Sequence, residues 1–298
     1  MRPFLLLGLV ACLRAQPTPD LSVLASRAQT FAEFLPNLLC TETLVQKELR
    51  YSSRLKIRKE DDSLVAPPPK TTTRKIVSDF GYALDAGEDN APNFWREVRK
   101  VLEVDGKRVT TRAKARAKLI KGLRSDRDRD RYRFLEEFTH YGLDVTVTDY
   151  SLSLLLFLAA DLPRYRFTFE REAFSGADKF HIFHFERQDD AASVTVFEGK
   201  KASHSRIKGR LWASAATGVP FKIQLLAETE DDGILIFDEG TVEYAQSRFG
   251  PLVATRIDFV RRVEGKALAE ALYEYTNYRR FGADAELKFD PLPETTQP

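Results

Sequence analysis

The side chains able to do chemistry are few in this sequence, and they are scattered. Four histidines occur, His140, His181, His184 and His204. His181 and His184 fall in one strand-like run, where an odd spacing points them to opposite faces, so they cannot chelate one metal as a pair. Cys40 has Leu39 and Thr41 beside it, neither of which supplies a base or a cation. A reactive thiolate needs a nearby positive charge or a helix N-terminus, so Cys40 reads as a structural thiol. The acidic pairs Asp231-Asp232 and Glu136-Glu137 have no visible partner and read as a turn and a solvated helix face. There is no His-Glu-x-x-His, no Gly-x-Ser-x-Gly and no glycine-rich phosphate loop ending in Lys-Ser/Thr. The residues therefore nominate no catalytic group, no metal ligand and no cofactor.

Two features are better suited to binding. From Lys107 to Arg124 there are eight basic residues and no acidic one. Arg112, Lys114, Arg116, Lys118 and Lys121 are the candidates for contact with an anionic surface such as a membrane. They do not gather on one helical face, since residues 114 and 116 lie about 200° apart on a helix. A solvated helix, balanced by the acidic residues that follow, is the other reading. The second feature is a set of strands apolar on both faces, such as Phe180 to Phe185 and Ile234 to Phe237. Such strands need two covers. Either helices supply the covers, or part of one face lines an apolar cleft. Trp212, Phe167 and Phe183 are the candidate lining residues.

The elements that must position these residues follow from periodicity and turn chemistry. Residues 20–35 read as a helix with Asp20 as N-cap and Leu21, Leu24, Ala28, Phe31 and Leu35 on one face. Pro36 ends it. Residues 38–57, 74–84 and 94–104 read as extended, and Asp105-Gly106 is a strong hairpin signal. The run 107–124 alternates at period two, but its alanines and long straight side chains favour helix. A second helix spans 126–141 and a short apolar helix 152–162, ended by Pro163. After Pro163 the sequence becomes a meander of eight strand-like runs with short connections, which makes neighbours antiparallel.

The 298 residues hold 46 Lys+Arg against 44 Asp+Glu, with 43% hydrophobic residues and 29 Gly plus Pro (15 and 14). That composition excludes collagen-like and disordered classes. Nearly balanced charge argues against a nucleic-acid binder. The chain opens MRPFLLLGLVACLRAQ, in which Arg2 precedes an apolar run of ten residues, Phe4 to Leu13. This is too short to span a bilayer and has the form of a secretory signal. Cleavage after Ala15 competes with Leu9-Val10-Ala11-Cys12, which resembles a lipobox with Cys12 as the lipidated residue. Loss of residues 1–15 removes Arg2 and Arg14, so 46 basic residues become 44 against 44 acidic ones. Cys40 is then the one remaining cysteine. The expected organisation is a signal at 1–15, one antiparallel β domain over 16–289 with a helical insert about 107–162, and a Pro/Thr-rich tail at 290–298.

Several segments resemble a family of secreted bacterial proteins of no assigned activity. They are Phe34 to Thr43, Phe94-Trp95-Arg96-Glu97-Val98 leading to Val104-Asp105-Gly106-Lys107, Ile207 to Trp212 followed by Thr217-Gly218, and Val242-Glu243-Tyr244 with Phe249-Gly250. The Gly-x-Leu-Trp and Thr-Gly pattern is also similar to the periplasmic lipoprotein-carrier class. That resemblance implies a mainly β (α+β) fold, a curved antiparallel sheet or half-barrel with helices packed on or closing it. It also implies that acyl chains are held in the hollow. Two departures stand out. Carriers often show an aspartate in a Trp-x-Asp strand opening, whereas Ala213 follows Trp212 here, and the basic insert is foreign to the minimal carrier. The resulting expectation is an exported, non-catalytic binding protein for a lipid or other hydrophobic ligand. An envelope interaction module and an envelope hydrolase with an unrecognised site are the alternatives.

Overall fold

A computed structural model describes residues 17–51, 57–58, 64–65, 67–85, 94–125, 128–143, 149–188, 194–198, 201–231 and 233–281. The signal segment 1–15, Cys12 and the tail 290–298 lie outside the described residues.

Helix α1 (Leu21–Phe34) begins where Asp20 Oδ1 accepts from the Ser22 and Val23 amides, each at 3.1 Å. Its Leu24, Ala28 and Phe31 form the buried stripe that the spacing predicts. Pro36, in a 3₁₀ turn over Leu35–Asn37, ends the helix and leads into β1 (Leu38–Arg50). A two-stranded ribbon of β2 (Ile57–Arg58) and β3 (Leu64–Val65) follows. Then come β4 (Lys70–Asp85), β5 (Phe94–Val104) and the short β6 (Lys107–Arg108). The turn between β5 and β6 is built by Asp105 and Gly106, both at positive φ (48° and 79°), as the Asp-Gly signal requires.

The basic run is helical, as its alanines predict. Helix α2 (Arg112–Leu123) starts at Thr111, which caps the Lys114 amide. Helix α3 (Asp128–Tyr141) follows. The meander is β7 (Tyr165–Ser175), β8 (Asp178–Arg187), β9 (Val194–Glu198), β10 (Lys201–Ser214), β11 (Pro220–Asp231), β12 (Ile234–Gln246), β13 (Leu252–Val263) and β14 (Lys266–Arg280).

These strands form one antiparallel sheet in the order β6-β5-β4-β1-β14-β13-β12-β11-β10-β8-β7, with β9 paired to β10. The two ends do not meet, so the sheet is a curved half-barrel. Its first four strands come from the N-terminal third, the rest from the meander, and the pair β1–β14 joins them.

Side chains alternate between the two faces. Leu38, Cys40, Glu42, Leu44 and Gln46 of β1 point to the concave side, where α1 lies. Leu39 of β1, Ala83 of β4 and Val98 of β5 point to the outer side and are covered by Leu119, Ile120 and Leu123 of α2. Helix α3 runs along β5, whose pairing with the short edge strand β6 is confined to Glu103 and Val104. It sends Phe138 into the concave core and Phe134 to the outer cluster, and so covers an edge that would otherwise stay unpaired.

Two expectations need correction. The apolar run after Asp149 is a 3₁₀ segment over Tyr150–Phe157, and Pro163 lies within a second 3₁₀ turn, Leu162–Arg164, rather than at a helix end. The segment is covered on all sides, with Ser151 to Leu154 consecutively buried, so tertiary contacts and not an amphipathic period set its conformation. Glu137 also has a partner. It pairs with Lys100, which is almost fully buried on the outer face of β5.

Candidate functional site

The concave face has a charged end and an apolar end. Glu97 and Arg99 of β5, Tyr82 of β4 and Glu42 of β1 lie at one end, all buried. The alternation that buries Trp95, Glu97, Arg99 and Val101 together also turns Arg96, Val98, Lys100 and Leu102 outward. Arg99 Nε donates to both Glu42 oxygens, at 2.9 and 3.0 Å. Arg99 Nη2 donates to Glu97 Oε2 at 2.5 Å. The guanidinium is also stacked among the rings of Phe138 (4.8 Å), Phe80 (5.1 Å) and Tyr273 (5.8 Å).

Burial works against the Arg99 charge, but the two carboxylates outweigh it and hold the guanidinium firmly protonated. Burial pushes the Glu42 carboxyl above its ordinary range, and Arg99 opposes the rise. Two carboxylates against one guanidinium leave a net charge of −1, met by hydroxyl and amide donors. Glu97 Oε1 accepts from the Ser151 amide at 2.9 Å and from Ser151 Oγ at 2.5 Å, and Tyr82 lies 3.0 Å from that hydroxyl.

Ser151 belongs to the segment that fills the hollow. This segment starts at Asp149, held at φ 69° in the left-handed region, and runs through the 3₁₀ turns to Phe157. Tyr244 of β12 grips it from the sheet. Its hydroxyl accepts from the Leu154 amide and donates to the Ser151 carbonyl, both at 3.1 Å. Tyr150 lies over Gly240 and edge-on to Phe259 at 5.5 Å. A Cβ at Gly240 would come within 2.1 Å of that ring, so the close approach needs glycine there. At the apolar end Phe157 is caged by Phe185 (5.1 Å), Phe167 (5.8 Å) and Tyr165 (6.0 Å). Leu152, Leu154 and Phe157 are all buried among the concave strands.

The chain thus fills its own hollow. A small cavity beside Gln46, Leu143, Phe259 and Ala271 holds about 10 Å³, room for roughly one water. A second, between α3 and β5, is of the same size. Sites for drug-sized ligands run to about 300–1,000 Å³. Neither of these two cavities has such room, and a ligand on the concave face would meet the Tyr150–Phe157 segment.

The candidate lining residues divide. Phe183 is buried on the concave face and Phe167 packs against its core, whereas Trp212 points to the other face, 5.8 Å beneath Lys222. In the basic run Lys114, Lys118 and Lys121 are exposed, but Arg116 turns toward the sheet beside Asp79. Cys40 is buried, and burial, followed by the Glu42 charge, pushes its thiol well up, away from a nucleophilic thiolate. His181 lies beside Glu172 and Phe169, His184 beside Glu186, and His140 against Tyr141. The side chain of His204 lies outside the described residues. Among the described residues no three His, Cys, Asp or Glu side chains gather to hold a metal. Sequence reasoning missed Glu42, Glu97, Arg99, Asp149, Ser151 and Tyr244. For Glu42, Glu97 and Arg99 the one signal is charge at the inward positions of β1 and β5, visible only once the inward register is known.

No protein-family model matches the chain, and no curated protein matches its sequence. Solved structures similar to it include a putative outer membrane lipoprotein-sorting protein domain from Vibrio parahaemolyticus. That match has 12% identity and a TM-score of 0.32, and covers 90% of this chain and 94% of that one. Another is a LolA superfamily protein from Nitrosomonas europaea, with 11% identity, a TM-score of 0.29, and 85% and 93% coverage. A DUF1329 family protein from Desulfovibrio piger is similar at 10% identity and a TM-score of 0.32, with 88% and 94% coverage.

Two predictions follow from the charged end. Arg99→Met leaves two carboxylates buried without their cation and should cost about 3–5 kcal/mol in urea unfolding. Adding Glu42→Leu should recover part of that loss; a double variant no more stable than Arg99→Met would refute the assignment. The second concerns Asp149, whose carboxyl turns in to accept from the Glu97 amide at 2.9 Å. Burial and the Glu97 charge push it up to about 6, against the pull of that amide, Arg99 and Arg96. A carboxyl with a raised native pKa is a penalty when ionised, absent below its unfolded value near 3.8 and complete above about 6. The stability advantage of Asp149→Asn over the parent should therefore grow between pH 4 and pH 6.5, read as the difference in Tm. A difference independent of pH would overturn the assignment.

Proposed function

We propose that the protein is a non-catalytic binding protein of the bacterial cell envelope that takes a lipid or other hydrophobic molecule against the concave face. The observation that carries this reading is the occupant of that face. An apolar sheet is filled by a leucine- and phenylalanine-rich 3₁₀ segment tied down by Glu97 at one end and Tyr244 in the middle. A 3₁₀ segment has poorer internal hydrogen bonding than an α-helix, so it is a loosely built plug that depends on its contacts. Export rests on the signal-like first fifteen residues, with Cys12 as a lipidation site if the lipobox reading holds.

The energetics suit exchange. A twelve-carbon chain offers roughly 10 kcal/mol of gross burial at about 0.8 kcal/mol per CH₂. Expelling the side chains of Leu152, Leu154 and Phe157 costs about 1.5–3 kcal/mol each. The three together come to about 4.5–9 kcal/mol, so the ligand's gross gain is the larger before its ordering cost is subtracted, and ligand and plug compete for one surface. No acid, base or nucleophile is required.

Uptake of a fluorescent twelve-carbon fatty acid tests this, alongside native mass spectrometry of protein taken from its own envelope. Gly240→Val forces Tyr150 off the sheet and Ser151→Ala removes the hydroxyl bonded to Glu97. Each should raise probe uptake several-fold while circular dichroism stays that of the parent. A copurified lipid supports the proposal. Absence of both lipid and probe uptake in the parent and in both folded variants overturns it in favour of an interaction module.

A further inference from the structure

The outer face of the sheet carries a second polar cluster that the concave face does not use. Thr41 of β1 and Asp79 of β4 are paired across the strands and are 5% and 2% exposed. Arg116 reaches Asp79 from α2, with Nε 3.9 Å from Oδ2. Arg279 reaches it from β14, with Nη2 3.8 Å from Oδ1. Arg112, the first residue of α2, adds a third positive charge that acts on Asp79.

These contacts are too long. Elsewhere in the same sheet ion pairs close to hydrogen-bond distance, as in Arg261–Asp238 at 2.7 Å and Arg99–Glu42 at 2.9 Å. Here five buried polar atoms have no hydrogen-bond partner among the described residues: Thr41 Oγ1, both Asp79 oxygens, Arg116 Nε and Arg279 Nε. Such atoms are rare in folded proteins, and their concentration at one spot asks for a reason. Charge is unbalanced as well, with three guanidiniums facing one carboxylate. Helix α2 has no acidic residue in its first turn, so its positive end adds to the excess. An arrangement built only for stability would place acids there.

The geometry points to a binding site for a hydrogenphosphate or phosphomonoester group, held by Arg112, Arg116 and Arg279 and read by Asp79. Guanidinium forks match phosphate oxygens in pairs, and the helix N-terminus adds its field. Asp79 sets the selectivity. An ionised carboxylate only accepts hydrogen bonds, so it repels an oxyanion that has no proton to give. A phosphomonoester has a second pKa near 6 and carries a P–OH in part of its population near neutral pH. That P–OH donates to Asp79, while the Thr41 hydroxyl donates to a phosphate oxygen. Sulfate and phosphodiesters have no such proton and are refused. Arg112 is exposed and Arg116 and Arg279 are half-exposed, while the Asp79 and Thr41 oxygens lie sealed beneath them, so the flexible guanidiniums part to admit the group.

The site is separate from the concave face, and its test is separate too. Calorimetric titration at pH 6.5 compares sodium phosphate with sodium sulfate at matched ionic strength. Cosedimentation compares phosphatidylcholine vesicles containing phosphatidic acid, a monoester, with vesicles containing phosphatidylglycerol, a diester. The parent should prefer phosphate over sulfate by at least about tenfold, the scale of one charge-assisted hydrogen bond. Asp79→Asn, which offers a donor in place of the carboxylate, should bring that ratio near one and leave fatty-acid uptake unchanged. Arg279→Gln should weaken phosphate about tenfold, and Arg279→Lys should restore part of it if the glutamine variant fails to fold. Replacing the outward Lys114, Lys118 and Lys121 by glutamine should leave the ratio as it was. Binding of free phosphate identifies a soluble ligand, and binding of phosphatidic acid vesicles alone identifies a lipid headgroup; either supports the site. Measurable but equal binding of phosphate and sulfate by the parent, measurable but equal binding of the two vesicle types, a preference unmoved in Asp79→Asn, or no binding of any of them overturns it.

Discussion

Arg99 is the constraint around which the N-terminal half of the sheet is arranged. A guanidinium with 3% exposure cannot stand without opposite charge, and Glu42 and Glu97 supply it from two different strands. The pairing locks β5 to β1 across the intervening β4. It also requires covers, which Phe80, Phe138 and Tyr273 provide from a strand, a helix and the far side of the β1–β14 seam. The surplus negative charge then recruits Ser151, and with it the segment that fills the hollow. A polar cluster at one end of an otherwise apolar face thereby decides where the apolar plug lies.

The two faces of the sheet solve different problems. On the concave side Arg99, Glu42, Glu97, Ser151 and Tyr244 bond to one another or to backbone groups, and the apolar remainder is closed by the chain's own leucines and phenylalanines. On the outer side α2 covers an apolar patch through Leu119, Ile120 and Leu123, but at its N-terminal end it crowds three arginines around Asp79. Arg279 is pulled below its ordinary range by burial and by the neighbouring Arg116 and Arg112, against the opposing pull of Asp79. One face is settled internally, and the other keeps an excess charge that its own residues leave unneutralised.

Much of the fold was legible in the sequence. Period-two runs and turn residues marked the meander strands to within a few residues, while Asp20 and Pro36 marked the ends of α1 and Asp105-Gly106 the turn after β5 for local steric reasons. The alanines of the basic run correctly favoured helix over the alternating reading. The site was less legible. Glu97 and Arg99 sit in a strand whose two faces each carry two apolar and two charged residues, so composition does not say which face turns inward. Trp212 looked like a lining residue because it is large and apolar, yet the register of β10 turns Gly209, Leu211 and Ala213 inward instead. Glu137 looked solvated because its partner, Lys100, is 37 residues away.

The sequence by itself determined the antiparallel class, the order of strands within the meander and helices α1, α2 and α3. Each of these depends on interactions among residues a few positions apart, which periodicity and turn chemistry record. Tertiary structure alone decided that β1 closes on β14, which face is concave, that residues 150–157 become a 3₁₀ plug, and which charges meet. Those outcomes depend on desolvation and on pairing across more than 200 residues. A buried guanidinium and a solvated one are written with the same letter; only the packed sheet distinguishes Arg99 between its two glutamates from Arg108, exposed on β6.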